Sequence, residues 1–102
     1  MIEAWKKSEN KSAAIYGRVT PGSGAGDSKL DILGEGRWSG WRIENKYTSK
    51  ESYSLSVKTL TKMSQQALQM MASAFLVIDF GSNKRYVVIE EEEFLRMNDD
   101  FD

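Results

Sequence analysis

The chain has 102 residues, which is enough for one domain with one core but not for a second. It contains neither cysteine nor histidine, which excludes disulfides, thiolate metal sites, a thiol nucleophile and a Ser-His-Asp triad. The net charge is only −1, but residues 1–62 carry a net of +4 and residues 63–102 a net of −5. Because the charges are segregated, the small total does not argue against a nucleic-acid partner.

Hydrophobic periodicity and turn residues divide the chain into helices and strands. The first half is predicted to contain a helix over 2–16 ended by Gly17, a loop over 18–26, and strands over 29–33 and 41–48 with a hairpin-like connection over 34–40. After a loop over 49–55, the second half is predicted to contain a helix over 56–73, strands over 75–80 and 85–89 joined by a turn over 81–84, and a helix over 90–97. Ser8 is an alternative cap for a shorter first helix. This order predicts a single α/β domain over 1–102, with a small mixed sheet of about four strands flanked by helices and an acidic tail from about residue 98.

Several apolar residues have more than one interpretation. The uninterrupted apolar run over 75–80 predicts a strand in the centre of the sheet. Met63, Met70 and Met71 form a stripe that indicates core or a subunit interface rather than a cofactor site. Trp38 and Trp41 could stack on bases, but packing in the core or in a dimer is favoured.

The strand over 41–48 carries the clearest chemical signal. Alternation puts Glu44 and Lys46 on one face and Asn45 on the other, and a hairpin would bring Asp31 beside Glu44. Two carboxylates and a lysine in one cleft can hold a divalent metal and activate water for phosphodiester hydrolysis. Without His or Cys, Mg²⁺ or Mn²⁺ is favoured over Zn²⁺. The simpler alternatives are a surface ion pair between Glu44 and Lys46, and an Asp31 that faces solvent or caps a turn.

Several short motifs follow one another along almost the whole chain. They are Ser8-Glu9, Gly22-Ser23-Gly24-Ala25, Leu30-Asp31, Ile43-Glu44-Asn45-Lys46, and Thr59-Leu60-Thr61-Lys62 with Gln66-Ala67. In this order they resemble the PD-(D/E)XK nuclease superfamily, and within it the archaeal-type Holliday junction resolvases and their small phage relatives. The chain departs from the family pattern at Leu30, where a proline often precedes the aspartate, and in its short first helix.

The resemblance implies a restriction-endonuclease-like core and a Mg²⁺-dependent DNA endonuclease in which Mn²⁺ substitutes. It implies that Asp31, Glu44 and the backbone carbonyl of Asn45 hold the metal. Lys46 would orient the attacking water and stabilise charge on the phosphate. Glu9 matches the helical glutamate that completes the acidic cluster of resolvases, with an exposed helical position as its alternative.

Further residues are candidates for contacts with DNA. They are Ser23, in the loop that the family places near the scissile phosphate, and the basic residues Lys7, Lys11, Arg18, Lys50, Lys58 and Lys62. The resemblance implies a Holliday junction resolvase, and a homodimer follows because symmetric cleavage of a four-way junction needs two active sites. The alternatives are a nicking or site-specific endonuclease and a non-catalytic DNA-binding module with the same fold.

The sequence also bears on location. No apolar run approaches the roughly 18–20 residues that span a bilayer. The N-terminus lacks the apolar region of a secretory signal. We therefore expect no membrane association and a cytoplasmic location, in the host cell if the protein is phage-encoded.

Overall fold

The computed structural model describes residues 3–20 and 32–99, which form three helices and one five-stranded mixed sheet. In chain order the elements are α1 (Ala4–Tyr16), β1 (Gly17–Val19), β2 (Ile32–Gly34), a short 3₁₀ turn (Gly36–Trp38), β3 (Trp41–Tyr47), α2 (Val57–Gln69), β4 (Ser73–Asp79), β5 (Arg85–Val88) and α3 (Glu91–Asp99). The predicted small mixed α/β sheet flanked by helices is confirmed. Within the described ranges, no helix is both long enough and apolar enough to cross a membrane.

The strands lie side by side in the order β1-β2-β3-β4-β5. All neighbours are antiparallel except β3 and β4, which are parallel and are connected through α2. A helix is the usual connection for a parallel pair, because the chain must return to the starting end of the sheet. β4 is therefore an interior strand buried along nearly its whole length, as the apolar run over 75–80 predicts.

The sheet has one strand more than predicted because Gly17–Val19 pairs with β2 directly after α1. A β-carbon at Gly17 would lie 1.9 Å from the carbonyl oxygen of Leu33, so only glycine fits where the two strands approach. An edge strand of three residues is too short to show alternation, and the sequence indicates a loop there. Residues 21–31, which hold most of that predicted loop and the start of the predicted strand over 29–33, lie outside the described ranges.

The C-terminal ends of two helices differ from the predictions. α2 ends at Gln69 rather than at residue 73, because Met71 adopts a left-handed backbone conformation (φ 57°) and the following N–H groups bond back to the last turn. Of the methionine stripe, Met63 is buried in the core, whereas Met70 and Met71 are exposed. α3 continues to Asp99 and so takes in the first two residues assigned to the acidic tail.

Ser56 caps the start of α2, where its hydroxyl oxygen accepts the N–H of Thr59 at 3.1 Å. Ser56→Ala should lower the free energy of unfolding by about 1 kcal/mol, because this N–H loses its partner. Urea denaturation followed by circular dichroism measures the change. Ser54→Ala, the same change at an exposed serine in the preceding loop, should have no effect. An equal loss in both variants would contradict the capping role.

Two apolar layers cover the sheet, one on each face. The buried residues are Ile32, Ile43, Phe75 and Val77 on the α1 face, and Met63, Ala67, Ala74, Leu76 and Ile78 on the α2 face. The ring of Phe75 lies 5.6 Å from that of Trp38 and 5.3 Å from that of Trp41, measured between centroids. Both tryptophans therefore pack against the core, which the sequence favours over base stacking.

Candidate functional site

β3 carries the Glu-x-Lys tripeptide in the alternation that the sequence predicts. Ile43 and the Asn45 amide face α1, whereas Glu44 and Lys46 lie on the α2 face and are half-buried. Within the described residues, the Glu44 carboxylate makes no hydrogen bond or ion pair.

The pairing of β2 with β3 brings the residue that follows Asp31 next to the Glu-x-Lys tripeptide. Ile32, which follows Asp31 in the sequence, pairs with Ile43, which precedes Glu44. Past this pair, the described part of the chain borders β3 only on the β4 side. Asp31 itself lies outside the described residues, so its place beside Glu44 stays a prediction.

α1 carries Glu9 on the side that faces the sheet, and this is the face of β3 opposite to the one that carries Glu44 and Lys46. The helix begins at Ala4, so the alternative start at Ser8 is wrong, and Glu9 lies in the second turn. The side chain of Glu9 is only 6% exposed, so the alternative of an exposed helical glutamate is also wrong. Asn45 Nδ2 donates to Ser8 Oγ at 2.8 Å, which holds the turn that carries Glu9 against the middle residue of the Glu-x-Lys tripeptide.

A closed ring of hydrogen bonds, here called the polar ring, connects α1 to three strands. Ser8 Oγ donates to Asp79 Oδ2 at 2.7 Å, and Arg85 Nη1 donates to the same oxygen at 2.9 Å. Arg85 also donates to Ser12 Oγ. Ser12 donates to Asn45 Oδ1, and Asn45 Nδ2 closes the ring at Ser8. Because buried polar groups need such partners, the polar ring fixes α1 relative to β3, β4 and β5.

Asp79 is the charged centre of the polar ring. Burial alone would raise the pKa of its carboxyl group. The Ser8 hydroxyl, the Gly81 N–H and the Arg85 guanidinium outweigh burial and hold the pKa of Asp79 below its ordinary value. Asp79 is not among the site residues that the sequence predicts, because it ends an apolar strand. The available signal was Arg85, an opposite charge six residues later across a predicted turn, and the two residues do pair across the β4–β5 hairpin.

The predicted metal ligands lie only partly within the described chain. Among residues 3–20 and 32–99, no three acidic side chains lie close enough together to hold a metal ion, and Asp31 is outside these ranges. The side-chain amide of Asn45 is occupied by the polar ring, which leaves its backbone carbonyl for the predicted role. The candidate oxygen donors are thus the Glu44 carboxylate and that carbonyl, with Asp31 as a predicted third.

The basic residues predicted to contact DNA are exposed, but they are spread over the molecule. They are Lys7 and Lys11 on α1, Arg18 on β1, Lys50 in the loop after β3, and Lys58 and Lys62 on α2. The two helices cover opposite faces of the sheet, so these cations do not form one patch. Lys11 Nζ donates to Asn83 Oδ1 at 3.0 Å, and Arg18 Nε lies 3.5 Å from Glu35 Oε2. Ser23 lies outside the described residues.

Comparison of the chain with protein-family models, with curated proteins and with solved structures finds no match. The function of the chain is therefore inferred from its motifs and from the geometry around its Glu-x-Lys strand. Two features of that geometry matter most: the shared face of Glu44 and Lys46, and the buried turn of α1 behind Asn45.

Proposed function

We propose that the chain is a Mg²⁺-dependent endonuclease of the PD-(D/E)XK type that hydrolyses DNA phosphodiesters. The observation that carries the proposal is the position of Glu44 and Lys46 on one face of β3, just past the last described pair with β2. Behind them, Asn45 is bonded to the turn that holds the buried Glu9. A carboxylate that can hold a cation, with an ammonium two residues away on the same face, suits metal-assisted phosphodiester hydrolysis.

The donor set suits a hard divalent metal. Glu44 offers a half-buried carboxylate that has no polar partner in the described ranges, and the chain has no His or Cys to favour a softer ion. Asp31, Glu44 and the Asn45 carbonyl would hold Mg²⁺, or Mn²⁺ in its place. Such an ion polarises a phosphoryl oxygen and lowers the pKa of a bound water.

Lys46 has a supporting role in this proposal. The Lys46 ammonium lies on the same face as Glu44, where a fixed positive charge stabilises the negative charge that develops on the phosphoryl oxygens. Glu9 lies on the α1 side of β3, across the strand from Glu44 and Lys46, so this proposal does not count it among the metal ligands. The polar ring keeps this turn of α1 in place, because Ser8 and Ser12 both bond to Asn45.

Branched DNA, such as a four-way junction, is the proposed substrate class. The order of motifs resembles that of junction resolvases, and the exposed lysines of α1 and α2 lie on opposite faces of the sheet. Cations on two faces can contact the phosphates of arms that diverge in different directions. A single straight duplex would contact the cations of one face only. Two symmetric cuts need two active sites, so a homodimer belongs to the proposal.

Cleavage assays with three DNA substrates test this function. A labelled four-way junction, a linear duplex and a single strand are each incubated with Mg²⁺, Mn²⁺ or EDTA. We expect paired symmetric nicks in the junction with either ion and none with EDTA. Equal cutting of the duplex would overturn the junction preference and favour a nicking or site-specific endonuclease. Junction binding without cutting of any substrate, even with Mn²⁺, would overturn the nuclease and favour a non-catalytic DNA-binding module.

A further inference from the structure

β5 is an edge strand with apolar side chains on both faces. In the described part of the chain β5 pairs only with β4, so its other edge is open. Tyr86 is 58% exposed and Val87 is 50% exposed, and alternation puts them on opposite faces. Proteins usually shield such an edge with charge, proline or a bulge. The charged residue within β5, Arg85, is instead turned inward to Asp79.

An apolar groove of about 370 Å³ runs beside this edge on the α2 face. Its walls include Val57, Leu60 and Leu68 from α2 and Val88 from β5. Val57 is 80% exposed and Leu68 is 74% exposed, which is unusual for large apolar residues next to a core. A groove beside an open strand edge is a surface that an added strand covers, with its backbone on the edge and its side chains in the groove.

The charges at the two ends of β5 are opposite in sign. Lys84 precedes the strand, Glu90 follows it, and both are exposed. Three further glutamates, 91–93, begin α3. If a second copy of β5 ran antiparallel beside the first, each basic end would meet an acidic end. A parallel arrangement would place like charges together, so the charge pattern favours an antiparallel second copy.

We propose that two copies of this chain pair through β5, antiparallel about a two-fold axis at Val87, so that their sheets become continuous. The register follows from the hairpin, in which the Phe80 N–H donates to the Lys84 carbonyl at 2.9 Å. By alternation along β5, the backbone groups of Val87 point away from β4 and towards the open edge. The backbone N–H and C=O of Val87 therefore bond to those of Val87 in the second copy. In the same register, Lys84 lies opposite the second copy's Glu90.

This register also accounts for the groove. Tyr86 lies opposite the second copy's Val88 on the α2 face, in the kind of antiparallel pair where side chains approach most closely. Because Val88 lines the groove, the ring of Tyr86 covers the groove of the other copy. The interface is isologous, as a two-fold axis requires. It rests on β5, on α2 and on the charged residues that flank β5, and not on the proposed nuclease activity.

Single cysteines test the register, since the chain has none of its own. Val87→Cys should give a disulfide-linked dimer under mild oxidation, because Cα atoms in a hydrogen-bonded antiparallel pair lie about 5.5 Å apart. Tyr86→Cys, at the similarly exposed neighbouring position, should stay unlinked because it faces Val88. Non-reducing electrophoresis separates the two outcomes. Equal linking of both variants, or linking of Tyr86→Cys alone, would overturn the register.

Charge reversal tests the partner. By sedimentation velocity, the wild-type chain should be dimeric, and Lys84→Glu or Glu90→Lys should each raise the dimer Kd by about 3- to 30-fold. The double variant should restore the wild-type Kd, and circular dichroism shows whether each variant is folded. A monomeric wild-type chain would overturn the proposal. Binding of an extended peptide at β5 by such a monomer would show a different occupant of the edge and would overturn it as well. A double variant as weak as the single ones would also overturn it.

Discussion

Glu44→Gln should lower the rate of Mg²⁺-dependent DNA cleavage by more than about 100-fold while the fold is unchanged. Glutamine keeps the shape of the side chain but lacks the negative charge that holds a hard cation. Because Glu44 makes no hydrogen bond or ion pair within the described residues, its replacement removes little that stabilises the structure. Single-turnover cleavage of a labelled four-way junction, measured over a range of Mg²⁺ concentrations, gives the rate.

Matched variants separate a metal ligand from a general loss of structure. Glu92→Gln, the same change at an exposed glutamate of α3, should cleave like the wild type. Lys46→Met should lower the rate by about 10²–10³-fold at every metal concentration, because its charge acts on the phosphate. Asp31→Asn should abolish cleavage but retain junction binding. Normal cleavage by Glu44→Gln or Asp31→Asn would disprove the proposed metal site.

Asp79→Asn should lower the free energy of unfolding at pH 7 by about 3–5 kcal/mol. Asp79 is only 7% exposed, and its carboxylate accepts hydrogen bonds from Ser8, Arg85 and the Gly81 N–H. The variant leaves the largely buried Arg85 guanidinium without its counter-ion, and removing one member of a buried ion pair costs more than removing both. Urea denaturation measures the loss, with Glu92→Gln as the control that should match the wild type.

The stability difference between wild type and Asp79→Asn should shrink in acid. The pKa of Asp79 is depressed in the fold, so its stabilisation is complete above the unfolded pKa of about 3.9 and is lost as the pH falls through the folded pKa. Unfolding free energies measured from about pH 5 down to about pH 2 should therefore converge. A constant difference over this range would show that the ionised carboxylate is not the source of the stability.

Strands β2 to β5 and helix α2 could be predicted from local patterns. Ile43, Glu44 and Lys46 alternate with period two, so the two faces of β3 follow from neighbouring residues alone. Met63 and Ala67 are one helical turn apart, which indicates the buried face of α2. α2 ends before residue 73, the end that the periodicity predicts, because its end depends on the left-handed backbone of Met71, a non-glycine residue that gives no stop signal in the sequence.

The polar ring could not be predicted, because no local pattern contains it. Ser12 and Arg85 are separated by 73 positions in the chain, and Ser8 and Asp79 by 71. In the sequence the serines are ordinary polar positions of a helix, and the acid ends an apolar strand. The same limit applies to Glu9, since its burial depends on how α1 packs on the sheet.

Composition and periodicity by themselves determined the α/β class and the strand that carries Glu44 and Lys46. They also determined that any metal ligands come from oxygen atoms, since the chain has no Cys or His. Each of these is a property of residue types or of near neighbours in the chain. The extra strand β1, the buried turn behind Asn45, the division of the cations between two faces and the open edge at β5 were decided by the assembled sheet. Their physical cause is packing and hydrogen bonding between residues far apart in the chain, which come together only when the strands pair.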